Sequence, residues 1–246
     1  MNRLRPEQDA FGRALLAHVE NRRAFVVVER DDGFFDSEGV EAYFFEPRRW
    51  DSVERRALRH VRGRVLDVGL GAGRVALELQ RRGHDVTGID VSPLAVRIAR
   101  KCGVKKAKVM PFEQADTSLG TFDTVVMFMN NFGLFGSKTK ARRLLRRLHR
   151  MTSEQGRIVA SSNDHYRTKD RAHIAYRRRN LSRGRMAGQL RARLHFRQWS
   201  TPWFDYLFAS PAELEKLVSG TGWYVRQFIR SEGMSFYVAV IDKEPA

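Results

Sequence analysis

The stretch from Arg64 to Pro93, RVLDVGLGAGRVALELQRRGHDVTGIDVSP, constrains the fold more than any other part of the chain. Val65, Leu66 and Val68 form a short apolar run that ends in a glycine turn, with Gly69, Gly71 and Gly73 at alternate positions. A helical segment follows from Val75 to Arg82, then a second strand from Asp85 to Ile89 that ends at Asp90. Strand, glycine loop, helix, strand and acid in this order make the first half of a nucleotide-type α/β sheet. A loop that brings its backbone against a ligand cannot carry β-carbons there. The helix behind it presents unpaired N–H groups at its start. Asp90 stands nineteen residues after Gly71 (71 to 90), where a carboxylate can accept from ribose hydroxyls. These residues predict an adenosine-containing cofactor and leave its kind open.

Two details narrow the choice. A dinucleotide fingerprint places glycine three residues after its second glycine, for close helix–strand packing. Counted from Gly71, that position is Arg74. Asp67 stands inside the end of the first strand, where a carboxylate suits a cationic ammonium group better than a pyrophosphate. No Gly-Lys-Ser/Thr follows, which argues against a phosphate-binding loop. On these residues the chain resembles the class I S-adenosylmethionine-dependent methyltransferases, whose first motif is read here as Val65-Leu66-Asp67-Val68-Gly69-Leu70-Gly71-Ala72-Gly73. The resemblance implies an α/β fold with a Rossmann-like, seven-stranded, mostly parallel sheet in the order 3-2-1-4-5-7-6. It implies S-adenosylmethionine as cofactor, held by Asp67, Gly69, Leu70, Gly71, Gly73, Asp90 and Val91. It covers roughly residues 60 to 162 and 210 to 241.

A chain of 246 residues with 42% hydrophobic residues can bury one large core. The N-terminus has no long apolar run, so neither a signal peptide nor a membrane span is indicated. Cys102, the only cysteine, cannot form an internal disulfide, and a cytoplasmic protein is the simplest account. No compact His/Asp/Glu cluster has metal-ligand spacing, and no metal is expected. The net charge of +17, from 45 basic against 28 acidic residues, leaves RNA open as a partner. The basic residues are spread widely, however, and a solvated arginine-rich surface accounts for them as well.

Residues 1–62 are expected to form a helical, aromatic cap. Glu7 to Asn21 has a helical stripe, Ala24 to Glu29 is a short apolar run, and Asp51 to Val61 is a second helix. Tyr43 and Arg48 are candidates for a cover over the cofactor. Residues 63–246 are expected to be the methyltransferase domain. Ser92-Pro93 opens its next helix, and Lys108 to Met110 is the third strand. By the same resemblance, Phe112 and Glu113 beyond it are placed against the adenine, with Asp116 as a rival.

Phe122 to Phe128 is a continuous apolar run of central-strand type. Ligands in open α/β sheets bind beyond the carboxyl ends of the strands. Met129, Asn130 and Asn131 are therefore expected where cofactor and substrate meet, Met129 toward the cofactor and the two amides orienting a substrate group. A nucleic-acid amino-methyltransferase signature would continue with a proline pair and an aromatic, whereas Phe132-Gly133 follows here. That favours methylation of nitrogen or oxygen on a small molecule. An RNA methyltransferase and a non-catalytic module that binds the cofactor are the alternatives.

Ser137 to Met151 is a basic helix whose buried stripe is Ala141, Leu144, Leu145 and Leu148, and Arg157 to Ser162 is the fifth strand. Residues 163–209 then form an insertion, either a lid or a dimerisation arm; the oligomeric state stays open. Within it Leu190, Ala192, Leu194 and Phe196 alternate with Arg191, Arg193, His195 and Arg197, the period of a half-buried strand. Gly184 to Gln189 is its hairpin partner or the turn before it. Asn163, Asp164, His165, Trp203 and Asp205 are pocket candidates, and His165, just beyond the fifth strand, is the candidate base. Ser210-Pro211-Ala212-Glu213 is a helix start with a capping box, and two final strands, Trp223 to Ile229 and Ser235 to Ile241, complete the sheet.

Overall fold

The computed structural model describes residues 4–245. In chain order its elements are α1 (Ala10–Val19), β1 (Phe25–Arg30), β2 (Phe35–Gly39), α2 (Ser52–Ala57), β3 (Val65–Val68), α3 (Arg74–Arg81), β4 (Val86–Asp90), α4 (Pro93–Lys101), β5 (Lys106–Val109), β6 (Phe122–Met127), α5 (Lys138–Met151), β7 (Thr152–Asn163), α6 (Arg171–Ser182), β8 (Gln189–Phe196), β9 (Trp199–Ser200), β10 (Phe204–Leu207), α7 (Pro211–Val218), β11 (Trp223–Arg230) and β12 (Phe236–Lys243).

The main sheet has seven strands in the order β5-β4-β3-β6-β7-β12-β11. Numbered along the chain, this is the expected order 3-2-1-4-5-7-6. Strands β3, β4 and β5 run parallel, as do β6 and β7, while β12 lies antiparallel to both β7 and β11. Every residue of β3 is buried, as a strand covered on both faces requires. The smaller sheet has the order β10-β8-β1-β2, with β9 paired to β8. Its β8 is the strand that the alternation at 190–197 predicts. Gly184 to Gly188 precede it as a turn, and β8 pairs antiparallel with β1, Val27 opposite His195 and Glu29 opposite Arg193.

The chain divides into two compact units. The first comprises Met1–Trp50, Val65–Ala115 and Arg191–Phe204. Its β1 and β8 put Val26 and Phe196 into a core with Ala10, Ala14, Leu15 and Ala17 of α1. Helix α1 is shorter than the expected 7–21 because Asp9 takes the N-cap, accepting from the Gly12 N–H. Strand β5 begins at Lys106, two residues before the expected Lys108.

The second unit comprises Asp51–Arg64, Asp116–Leu190 and Asp205–Ala246. Helix α5 buries Ala141, Leu144, Leu145, Leu148 and Met151, the stripe its sequence shows. Two of its surrounding arginines are structural: Arg142 donates to the carbonyls of Leu217 and Ser219, and Arg146 to that of Gly220, beyond α7. Helix α7 starts with the expected capping box between Ser210 and Glu213. The helix expected over 51–61 ends at Ala57 and continues as a 3-10 turn, Leu58–His60.

Candidate active site

In the first unit the glycine loop is fastened to its neighbouring strand: the N–H groups of Gly69 and Leu70 both donate to the Ile89 carbonyl at 3.0 Å. Gly73 has φ of 89° and N-caps α3. A β-carbon on it would meet Val104 Cγ2 at 2.6 Å and Ala99 Cβ at 3.1 Å, so both the turn and the close helix approach require glycine. The Tyr43 ring covers the loop at Gly71, 3.3 Å from where a β-carbon would stand, and packs edge-on against Phe11. Arg74 lies with its guanidinium 4.5 Å from the centre of the Trp50 ring and donates to the Ala42 carbonyl. The residue that replaces the dinucleotide glycine thus ties down the segment carrying Tyr43. Arg48, the other cover candidate, is exposed and pairs with Glu46.

Two carboxylates within this unit, Asp67 and Asp90, repel one another. Asp67 is 2% exposed, and its Oδ2 has no hydrogen-bond partner. Burial, reinforced by repulsion from Asp90, pushes its carboxyl up to about 7, although the Ala76 N–H and the Arg74 charge favour the ionised form. Asp90 accepts from the Gly71 N–H at 2.9 Å through Oδ2 and from the Ser92 N–H at 2.8 Å through Oδ1. Burial still raises it to about 6, with Asp9 adding repulsion. An orphaned buried oxygen beside a second carboxylate is a site built for positive charge and for hydroxyl donors. Val91 follows Asp90 and is part-buried. Phe112 is buried and Glu113 part-buried in a 3-10 turn beyond β5. The rival Asp116 is exposed and caps another 3-10 turn, accepting from the Ser118 N–H.

In the second unit the loop after β6 holds two consecutive non-glycine residues in left-handed conformation, Met129 at φ 56° and Asn130 at φ 63°. Each costs on the order of 1 kcal/mol and persists only where its surroundings over-determine it. Glu54 of α2, 3% exposed, accepts from the Met129 N–H at 2.8 Å. Ser161 Oγ accepts from the Asn130 N–H at 2.8 Å, and the Tyr206 hydroxyl donates to the Asn130 carbonyl at 2.7 Å. The Asn163 amide donates to Asn130 Oδ1 at 3.0 Å, and the Ser235 hydroxyl donates to Asn163 Oδ1 at 3.3 Å. Sequence reasoning named Asn130 and Asn163, and the structure brings them together. It did not find Glu54, Ser161, Tyr206 or Ser235. Glu54 left one clue, an acid beside Val53 on the apolar side of its helix. Asn131 opens the 3-10 turn Asn131–Phe135.

His165 has different company from Asn163. Its ring lies 4.3 Å from that of Tyr166, and its Nε2 is 3.6 Å from Glu213 Oε2. Neither ring nitrogen makes a hydrogen bond. Burial holds the imidazole below its ordinary value, against the pull of Glu213 and Asp164, which favours its neutral form. Among the other pocket candidates, Asp164 caps the 3-10 turn His165–Arg167. Asp205 lies 3.6 Å from Arg185. Trp203 carries the Arg193 guanidinium over its ring, and Arg193 also pairs with Glu29.

A family model described as a methyltransferase domain matches residues 65–156, the part that holds the glycine loop, both carboxylates and the loop after β6. The chain is similar to an S-adenosylmethionine-dependent methyltransferase from Bacteroides fragilis, solved in complex with S-adenosyl-L-homocysteine. The identity is 26%, the TM-score is 0.82, and the match covers 98% of this chain and 97% of that one. It is also 31% identical over 126 residues to a ubiquinone/menaquinone biosynthesis C-methyltransferase of Citrifermentans bemidjiense, covering 46% of this chain and 51% of that protein. A magnesium-protoporphyrin O-methyltransferase of Rhodobacter capsulatus is 43% identical over 67 residues, covering 26% of this chain and 30% of that protein. The chain thus spans about half the length of the first of these curated relatives and under a third of the second. Residues 65–156 thus match a methyltransferase domain, and the chain as a whole is similar in fold to the Bacteroides fragilis S-adenosylmethionine-dependent methyltransferase.

Proposed function

We propose that the protein methylates a nitrogen or oxygen of a small molecule with S-adenosylmethionine. The observation that carries this reading is Asp67, a buried carboxylate with an unpartnered oxygen, set beside Asp90 behind a glycine loop. When bound, the cofactor supplies an electrophilic methyl group on a sulfonium. Asp67 would receive the cofactor's ammonium group, and Asp90 the ribose hydroxyls. Gly69, Leu70, Gly71, Gly73 and Val91 would present backbone, Phe112 and Glu113 would meet the adenine, and Met129 would stand toward the cofactor.

Asn130 and Asn131 would orient the acceptor. The Met129–Asn130 backbone is held from α2 at Met129 and from β7 and β10 at Asn130, so its geometry exists before any substrate arrives. A neutral amine acceptor needs no strong base. A phenol would lose its proton to water or to His165, whose neutral form burial favours. In this reading residues 1–62 act as a cap and residues 163–209 as a lid. Its cytoplasmic placement rests on the single, exposed Cys102. Among the described residues no helix is long and apolar enough to cross a membrane.

Small molecules are favoured over RNA because relatives of this chain are named for quinone and porphyrin substrates. In addition, Arg142 and Arg146 spend their guanidinium groups on backbone carbonyls. Calorimetric titration with S-adenosyl-L-homocysteine tests the cofactor half. Methyl transfer from labelled cofactor to a panel of phenols, catechols and amines, with total RNA as a separate arm, tests the acceptor half. Absence of cofactor binding would sink the whole reading, and label appearing only in RNA would sink its small-molecule part.

A further inference from the structure

Asp9 lies outside every motif that identifies the cofactor loop, yet it is 1% exposed. Its Oδ1 accepts from the Gly12 N–H at 3.0 Å and from the Ser92 hydroxyl at 2.7 Å. Its Oδ2 accepts from the Leu94 N–H at 3.1 Å. One carboxylate thus serves the starts of two helices: α1, where it is the N-cap, and α4, whose own N-cap is Ser92. Ser92 in turn donates its N–H to Asp90, which also accepts from Gly71. A continuous set of hydrogen bonds therefore runs from Gly12 through Asp9, Ser92 and Asp90 to the glycine loop. Gly12 makes it possible, since a β-carbon there would collide with Ser92 Oγ and stand 2.7 Å from Leu94 Cβ. Capping α1 alone would not need this arrangement. Ser or Asn caps a helix about as well as Asp, without burying a charge. What Asp adds is a second anionic oxygen that reaches α4.

We infer that Asp9 is a positioning residue of the cofactor site, holding the Asp90–Ser92 turn so that the Asp90 carboxylate is presented to the ribose hydroxyls. The inference rests on the S-adenosylmethionine reading above. Asp9 acts through charge as well as through bonds. Asp90 is repelled by Asp9 on α1, Asp67 and Asp90 repel one another, and Arg74 on α3 attracts Asp67. Removing the Asp9 charge lets Asp90 stay ionised to lower pH, whereas removing only the Ser92 hydroxyl does not.

The test is calorimetric titration of S-adenosyl-L-homocysteine into wild type, Asp9→Asn and Ser92→Ala from pH 5 to 8.5. Asp9→Asn is expected to weaken binding about fivefold or more at pH 8, the scale of a lost cap contact. Its low-pH limb, where Asp90 takes up a proton, is expected to move to lower pH. Ser92→Ala is expected to weaken binding with no such movement. An Asp9→Asn curve that superimposes on wild type overturns the inference. So does one that is lowered evenly at every pH, because Asp9 would then be a helix cap and nothing more. If Asp9→Asn loses its cooperative melt, Ser92→Ala decides: weaker binding supports the inference and wild-type affinity overturns it. Failure of the wild type itself to bind would remove the cofactor reading instead.

Discussion

Asp67→Asn should make the cofactor-free protein more stable and its cofactor complex weaker. The Asp67 carboxyl is raised from 3.8 to about 7, first by burial and then by Asp90. A carboxyl raised in the folded state binds its proton more tightly there than in the unfolded chain. Its penalty is therefore absent below about 3.8, grows with pH, and is complete above about 7. Three pH units at about 1.4 kcal/mol each give a penalty of about 4 kcal/mol at pH 8. Asparagine removes the charge, while its carbonyl oxygen can still accept from the Ala76 N–H. For a chain of this size 1 kcal/mol moves Tm by about 2–4 °C, so the cofactor-free variant should melt about 8–16 °C higher at pH 8. Below about pH 4 the difference should vanish. Binding moves the other way, because an ammonium group gains from a carboxylate what it cannot gain from an amide. Affinity for S-adenosyl-L-homocysteine should fall about ten- to a hundredfold, the scale of one charge-assisted hydrogen bond. Thermal melts at pH 4, 6 and 8, with and without S-adenosyl-L-homocysteine, measure both effects. A cofactor-free variant that melts below wild type at pH 8 would refute the electrostatic reasoning, and so would a stability difference that does not shrink toward pH 4.

Wild-type affinity for S-adenosyl-L-homocysteine, followed by calorimetry, should be flat above about pH 7.5. Below 7 it should weaken about tenfold per pH unit as Asp67 protonates, and more steeply below about 6 where Asp90 joins it. Gly73→Ala forces a left-handed alanine against Val104 and should cost about 2–4 kcal/mol in urea denaturation. Adding Val104→Ala should recover the steric part only. Tyr206→Phe removes the hydroxyl that fixes the Asn130 carbonyl. It should cost about 1 kcal/mol of stability and lower kcat, leaving S-adenosyl-L-homocysteine affinity unchanged. Equal losses in kcat and cofactor affinity would contradict the role given to this loop.

What could be read from the sequence was what local spacing determines. Gly69, Gly71 and Gly73 stand next to the strand they terminate, and Asp90 ends the following strand, so the glycine loop and its carboxylate are visible within thirty residues. The alternation at 190–197 gave β8 for the same reason. Its partner was not visible, because Ala24 to Glu29 is a short apolar run that fits many neighbours and pairing across the chain leaves no local trace. Asp9 before Ala10 reads as an N-cap, but its second partner, Ser92, is 83 residues away. The Met129–Asn130 conformation is hidden for a different reason. Asn tolerates the left-handed region and Met does not favour it, so no propensity predicts the pair. Only the contacts from Glu54, Ser161, Asn163 and Tyr206 select it, and these come from three separate places in the sequence, α2, β7 and β10.

The two loops hold their unfavourable features in different ways, and this bears on how each responds to ligand. Met129 and Asn130 are strained in the backbone, but the protein supplies every bond that keeps them so. Losing one leaves the others in place, so this loop should keep its shape without substrate. Asp67 is strained electrostatically, and the protein leaves one of its oxygens without a partner. A proton or a cation outside the chain would add to the partial relief that Arg74 and the Ala76 N–H supply. On the proposed cofactor reading, proton uptake and cofactor binding compete at Asp67. The stability of the cofactor half should depend on both, while that of the Asn130 loop should depend on neither.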